Sequence, residues 1–505
     1  MESLRLKNYR CFEDTGDIPI KPLTFLVGSN SSGKSSFLKF FPLLKQSASV
    51  RKRGVFLWNG HYVDFKDFKN TLRQKQSEGR DAEDSMTISF DITNVQTVRR
   101  LRVKDSVINK IRLTFTLSQE EEHYDKLDKL EIELLEQTIT CEFNNENSTV
   151  SIKIGNLTSD DIIENVEFNF TKGLLPRFVF KQRGRIGDEV YGSLEKISAI
   201  IDKYKPSDKI PNRLLLYPLL LNISPSKKEI GNIISRRWEV RIEDDDLDAI
   251  FDLLYFYNLN NIIDTINVNI FQFADNIVYI GPLREATDRY YRFQNLAIDE
   301  IEPDGSNLAM YLYNLPQTDR ESLNEWLSSI FEIKINVKSD GGHVELNIIE
   351  RDKLEQNLVD VGFGYTQVLP ILVNIWKCLY KDALPVSSDR NLWKKQEHII
   401  AIEQPELHLH PRMQAKLGVL LARVIKEESQ SSQDKFCFII ETHSEVLLNK
   451  IGELVAFEKI APEDISVVLF NAKQEDMENE VELAKYSEDG FLTNWPIGFF
   501  AEDVD

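Results

Sequence analysis

No apolar run in this 505-residue chain approaches the length of a membrane span. The longest candidate, RLLLYPLLLNI from Arg213, falls well short of the ~20 residues a spanning helix needs, and Pro218 breaks it. The opening MESLRLKNYR lacks the apolar core of a signal peptide. Cysteine is scarce: Cys11, Cys141, Cys378 and Cys437 stand far apart, with no C-x-x-C pair. That excludes a disulfide framework and a cysteine zinc site, and sets the expectation of reduced thiols in a cytoplasmic protein. Sustained a/d heptads are absent, so no long coiled coil is expected. Repeats and low-complexity linkers are absent too. Positive charge is in deficit, 61 Lys and Arg against 81 Asp and Glu, a net charge of −20. The averaged field therefore repels phosphate, which argues against a general nucleic-acid coat protein. Local basic clusters remain at Arg51-Lys52-Arg53, in VRRLRVK from Val98, in KQRGR from Lys181 and in RRWEVR from Arg236. Each reads as a solvated face before it reads as a DNA groove.

What is present is most distinctive near the start, in FLVGSNSSGKSSFLKF from Phe25. Leu23 to Val27 is apolar and reads as a buried strand, and Ser35 to Leu44 carries apolar residues at helical spacing. The loop between them fits G-x-x-x-x-G-K-[ST] through Gly28, Gly33, Lys34 and Ser35. Glycines permit backbone angles that turn the loop N–H groups inward on a β- or γ-phosphate. Lys34 adds a point charge, and the Ser35 hydroxyl is placed to ligate Mg²⁺.

A second apolar strand, Ile399 to Ile402, ends in Glu403, where an acid can hold Mg²⁺ opposite Ser35. It lies 369 residues beyond Lys34 (403 minus 34), far more than a compact phosphate-binding domain needs. The expectation is a split α/β head. Residues 1–95 would form its first lobe, 96–275 an insertion and 276–505 the second lobe. Within the middle, about Ser85 to Phe180 alternates apolar and polar in short bursts, as in SMTISFDI and IRLTFTL, and reads as antiparallel strands. About Gly192 to Phe273 reads as helical. Further on, Gly362 and Gly364 make a flexible turn, and Thr366-Gln367 opens an apolar helix whose N-terminus suits an anion. FCFIIETHSEVLL from Phe436 is an apolar strand followed by His443, which is either structural or a hydrogen-bonding partner for a γ-phosphate. His408 and His410 alternate in LHLHP, but no third metal ligand is evident, so a loop role is expected.

The order LRLKNYRCFED, phosphate loop, DVGFGYTQ, AIEQPELHLHP, ETHSE resembles the RecF/SMC/OLD-like branch of ABC-type ATPases. With WNGHYVDFKDF, YIGPLREATDRYYR and GFLTNWPIGFF, the chain also looks like the stand-alone prokaryotic ATPases of anti-phage defence systems of the Septu, retron and PARIS kind. The likeness covers roughly residues 1–95 and 277–500. It implies a P-loop ABC-type ATPase head with an inserted β-rich and helical region. ATP would sit on Gly28, Ser29, Asn30, Ser31, Ser32, Gly33, Lys34, Ser35 and Ser36 of one subunit. The signature turn, with Gly362, Gly364, Thr366 and Gln367, would come from a second copy. Ser35 and Glu403 would hold Mg²⁺, and His443 would sense the γ-phosphate. The family's Q-loop is expected near WNGHYVDF.

The chain departs from that pattern at Gln404, where such heads commonly carry the carboxylate that activates water. Gln can orient water but cannot take its proton. Glu406, two residues on, could substitute if the loop turned it inward. Slow hydrolysis and a long-lived closed state are expected. The leading expectation is an ATP-gated scaffold or sensor in anti-phage defence, self-associating and acting on a separate nuclease or toxin effector. The runner-up is a RecF-like repair ATPase with DNA across the paired heads. A nuclease of the OLD type is disfavoured, since only 62 residues follow His443 (505 minus 443).

Overall fold

The computed structural model describes residues 1–73, 85–95, 108–119, 124–163, 165–182, 185–187, 191–204, 227–238, 242–282, 289–292, 298–340, 342–350, 354–381, 397–428, 434–471 and 480–495. The RLLLYPLLLNI and VRRLRVK segments lie outside these. Contacts divide the chain into two compact units. One comprises Met1–Pro19 and Leu43–Asp275, the other Ile20–Pro42 and Asn276–Asp505.

The first unit is built on an antiparallel sheet. Ser3–Tyr9 pairs with the short strands Phe12–Asp14 and Ile18–Pro19 on one side, and with Ser85–Val95 on the other. From there the sheet runs in chain order through Ile108–Gln119, Asp125–Leu134, Gln137–Asn144, Thr149–Ile154, Asn165–Asn169, Arg177–Gln182 and Arg185–Gly187. Strict alternation of buried and outward residues, as along Gln137–Asn144, gives it one covered face. Helices follow at Tyr191–Asp202, Lys227–Trp238, Asp244–Tyr257 and Leu259–Asp275. The last is fastened by amide side chains. Asn260 accepts from the Phe178 N–H at 3.0 Å and donates to the Phe178 carbonyl at 2.8 Å, and Asn267 accepts from the N–H groups of Leu174 and Leu175.

The WNGHYVDF segment lies in this unit, held by two buried side chains. Asp125 accepts from the Val55 and Phe56 N–H groups and the Trp58 indole N–H. Gln46 donates to the Leu57 and Val63 carbonyls and accepts from the Tyr62 and Val63 N–H groups. The neighbouring cluster Arg51-Lys52-Arg53 is not a uniform basic patch. Lys52 turns inward onto the Ser47 and Gly173 carbonyls, while Arg53 lies over the Tyr124 ring at 5.1 Å.

The second unit carries a seven-stranded sheet in the order Ile277–Ile280, Glu397–Glu403, Lys435–Glu441, Leu23–Gly28, Ile465–Asn471, Glu480–Tyr486, Leu492–Thr493. The first five are mutually parallel, and each of the last two pairs antiparallel with the strand before it. Their near-continuous apolar runs are what a sheet covered on both faces requires. Leu23–Gly28 is buried at every position. Leu369, Leu372 and Trp376 of the helix Phe363–Trp376, and Leu447, Leu448 and Ile451 of the helix Glu445–Ala456, join Phe25, Ile402 and Ile440 in one core. A smaller antiparallel sheet, Ile333–Asp340 with His343–Glu350 and two short strands, precedes the helix Phe363–Trp376. Among the described residues no helix is long and apolar enough to cross a membrane.

Candidate functional site

The sheet order explains why distant segments meet. The Leu23–Gly28 strand lies between Lys435–Glu441 and Ile465–Asn471, neighbours drawn from the far end of the sequence. In open parallel sheets, ligands bind beyond the carboxyl ends of strands at such a change of order. Gly28 ends the strand, and Lys34 begins the helical turn Lys34–Leu38. Glycine is required at both fixed loop positions, for different reasons. A Cβ on Gly28 would lie 2.2 Å from the Phe470 carbonyl oxygen. Gly33 has φ +103°, which side chains resist. Ser31 also takes a left-handed φ of 64°. Lys34 is buried, and its Nζ donates to the carbonyls of Gly28 at 3.0 Å and Ser29 at 2.6 Å. Burial pushes its ammonium below the usual lysine range, and the charges of Glu441 and Glu406 offset part of that.

Two glutamates end adjacent strands in register, Glu403 beside Glu441. Glu403 accepts from the Tyr279 hydroxyl at 2.7 Å, and Lys39 Nζ lies 3.8 Å from the same oxygen. The Ser35 hydroxyl donates to Glu441 Oε1 at 2.9 Å. Sequence reasoning saw Ser35 and Glu403 as the metal pair and did not assign Glu441 or Tyr279 a part. A pattern search could have flagged Glu441, because an acid at the end of a buried apolar strand needs a partner.

Gln404 follows with φ 43°, an uncommon angle for a side-chain-bearing residue, and its N–H donates to the Glu441 carbonyl at 2.8 Å. Glu406 has both oxygens engaged: Oε1 accepts from the His443 N–H at 2.7 Å and Oε2 from the Thr442 hydroxyl at 2.8 Å. Burial pushes this carboxyl up, and those two donors pull it part of the way back. The loop holding Glu406 therefore clasps the strand end carrying His443. The His443 Nε2 is buried and has no hydrogen-bond partner among the described residues. Burial, then the nearby Lys34 charge, lowers its pKa, so the imidazole is neutral at pH 7. His410 caps the helix Pro411–Arg423 through Nδ1 to the Arg412 N–H at 3.2 Å.

The turn from Gly362 to Gln367 opens the helix Phe363–Trp376. Gly362 has φ +102° and caps the helix Phe363–Trp376, while Gly364 lies close to the His408 carbonyl, 3.3 Å from where a Cβ would sit. Thr366 and Gln367 are buried. Among the described residues no group of three or more His, Cys, Asp or Glu could hold a metal ion unaided.

A family model described as AAA ATPase domain matches residues 1–448. The endonuclease GajA of Bacillus cereus (strain HuB5-5) is 24% identical over 226 residues, covering 40% of this chain and 32% of GajA. The Retron Vc95 probable ATPase of Vibrio cholerae serotype O1 biovar El Tor is 22% identical over 307 residues, covering 57% of this chain and 55% of that protein. The matches thus span about a third and about half the length of these relatives. Among solved structures, the Smc head domain of Pyrococcus furiosus, with an extended coiled coil and bound to the C-terminal domain of ScpA, aligns over 96% of both chains at 11% identity and a TM-score of 0.37.

Proposed function

The chain belongs to the AAA ATPase domain family, and from that premise we propose that it is an ATP-gated scaffold or sensor in prokaryotic anti-phage defence. It binds ATP with Mg²⁺ at the loop Gly28–Ser36, hydrolyses it slowly, pairs with a second copy of itself, and holds or releases a separate effector such as a nuclease or toxin. The observation that carries the nucleotide part is the convergence of Lys34, Ser35, Glu403, Glu441 and His443 around one end of the parallel sheet. The retron ATPase likeness, and the acidic net charge of −20, support the defence and effector parts.

The residues present fit the nucleotide and its metal. Lys34, now resting on two loop carbonyls, exchanges them for phosphate oxygens. The Ser35 hydroxyl and the Glu403 carboxylate are hard oxygen donors of the kind Mg²⁺ takes, and they would hold it. Bound Mg²⁺ would neutralise charge on the β- and γ-phosphates. His443, neutral and with Nε2 unpartnered among the described residues, is suited to meet a γ-phosphate. Gln404 in the base position orients water without accepting its proton, which keeps turnover low and the closed state long-lived. Glu406 acts through the strand end it clasps. The turn Gly362–Gln367 meets the phosphate of the partner copy. Sedimentation of the full chain with and without a non-hydrolysable ATP analogue tests this reading. Pairing that appears only with the analogue is the expected result, and one sedimentation coefficient under both conditions would defeat it.

A further inference from the structure

Glu441 has a use that the Ser35–Glu403 pair does not cover. It is 3% exposed and ends the strand between the phosphate-loop strand and the Glu403 strand. Its backbone position is fixed from both sides: its residue pairs in register with Glu403 and with Leu26, and its carbonyl accepts from the Gln404 N–H at 2.8 Å. Its Oε1 accepts the Ser35 hydroxyl proton. Its Oε2 is buried with no hydrogen-bond partner among the described residues. A carboxylate oxygen in that condition loses its hydration without compensation, and buried polar atoms in folded proteins nearly always have partners. A purely structural glutamate at this position would have both oxygens engaged, as Glu406 does.

We propose that Glu441 is a third protein group of the Mg²⁺ site, holding the Ser35 hydroxyl by its proton so that the oxygen lone pairs face the cation, and offering Oε2 to the hydrated ion. Hydroxyl and carboxylate divide the work. A serine hydroxyl has one proton and two lone pairs, so committing the proton to Glu441 leaves the acceptor side for the metal. A partner of this kind orients a metal ligand and raises its donor strength. The carboxylate also stands beside Glu403 on the adjacent strand, where burial pushes it up and the Ser35 hydrogen bond and the charges of Lys34 and Lys39 offset only part of that. This inference rests on the nucleotide site proposed above and adds a metal-holding residue to it.

The test uses the full chain and a fluorescent ATP analogue. Its affinity is measured in EDTA and across a Mg²⁺ titration for the parent, Glu441→Gln, Glu441→Asp, Ser35→Ala and Lys34→Ala. The expected result for Glu441→Gln is an affinity in EDTA within about twofold of the parent, with the half-saturating Mg²⁺ concentration raised about 10- to 100-fold, the usual effect of removing a group that orients a metal ligand. Glu441→Asp, which keeps the charge but shortens the reach to Ser35, should move it in the same direction. Unchanged Mg²⁺ half-points in both Glu441 variants, with Ser35→Ala raising its own, would overturn the inference and leave the nucleotide site standing. Unchanged nucleotide affinity in Lys34→Ala would defeat the site itself, and the inference with it. Glu441→Gln is isosteric and removes a buried charge, so its unfolding temperature without nucleotide should equal or exceed the parent's. A variant that unfolds instead would make the carboxylate a structural requirement and overturn the proposal.

Discussion

Replacing Glu406 separates two ways in which a glutamate can matter beside a phosphate. Its carboxylate accepts two hydrogen bonds, from the His443 N–H at 2.7 Å and the Thr442 hydroxyl at 2.8 Å. Glu406→Gln keeps the shape. The amide oxygen can continue to accept from His443, and the amide N–H can donate to Thr442 Oγ1, whose own proton turns elsewhere. Two charge-assisted bonds become two neutral ones, at a cost of about 1 kcal/mol. If that whole amount were felt at His443, turnover would fall by less than tenfold. Glu406→Ala removes both acceptors and leaves the buried His443 N–H unpaired. The local cost is then about 3 kcal/mol, and the loss in turnover is on the order of 100-fold. Steady-state phosphate release, with equilibrium ATP binding measured alongside, checks the pair. If Glu406 instead takes the proton from water, both variants lose about 10² to 10⁴ in rate while ATP binding persists. A glutamine variant that falls as far as the alanine variant would refute the clasp.

Further outcomes are expected. Gln404→Glu places a proton acceptor where such heads commonly carry one, and should raise phosphate release at least several-fold; an unchanged or lower rate would sink that assignment. Gly362→Ala meets no atom of the described residues within 4 Å but strains a φ of +102°, so it should block nucleotide-driven pairing with ATP binding in the single chain retained; sedimentation with a non-hydrolysable analogue decides it. Lys52, between two carbonyls and held by burial down to about 8, binds its proton less tightly folded than unfolded. Its contribution therefore becomes more favourable as pH rises from about 8 toward 10.5, so the stability difference between parent and Lys52→Met should climb over that window, by about 3 kcal/mol at most. Thermal unfolding of both proteins across the window measures it, and a flat difference would mean that burial does not hold this ammonium down.

The parts of the site that were legible in the sequence are those where chemistry and chain order coincide. Gly28, Gly33, Lys34 and Ser35 sit within eight residues, between a strand and a helical turn that apolar spacing alone marks out. The bursts after Ser85 read as strands because one face of an antiparallel sheet is covered and the other is not, which writes alternation into the sequence. What did not show is register and strand order. Glu441 touches Ser35 only because the Lys435–Glu441 strand inserts beside Leu23–Gly28, and nothing in an apolar run states which neighbour it will have. Tyr279 reaches Glu403 for the same reason, across a parallel pair whose members lie more than a hundred residues apart. The environment of Glu406 was hidden differently. The sequence places an acid two residues from Gln404 but cannot say that Thr442 and His443 will occupy both its oxygens. The expected helix from Ser35 to Leu44 is interrupted at Lys39, dividing into Lys34–Leu38 and Phe40–Ala48, and Lys39 lies near Glu403 at the break.

The most direct measurement is equilibrium binding of labelled ATP to the full chain and to Lys34→Ala. Lys34 is the buried cation of the loop, and in the structure it holds two loop carbonyls that phosphate oxygens would replace. Losing two charge-assisted bonds of about 1.5 kcal/mol or more each should weaken binding on the order of 100-fold, with the unfolding profile retained. Equal affinity in parent and variant would mean that ATP is not held by this loop.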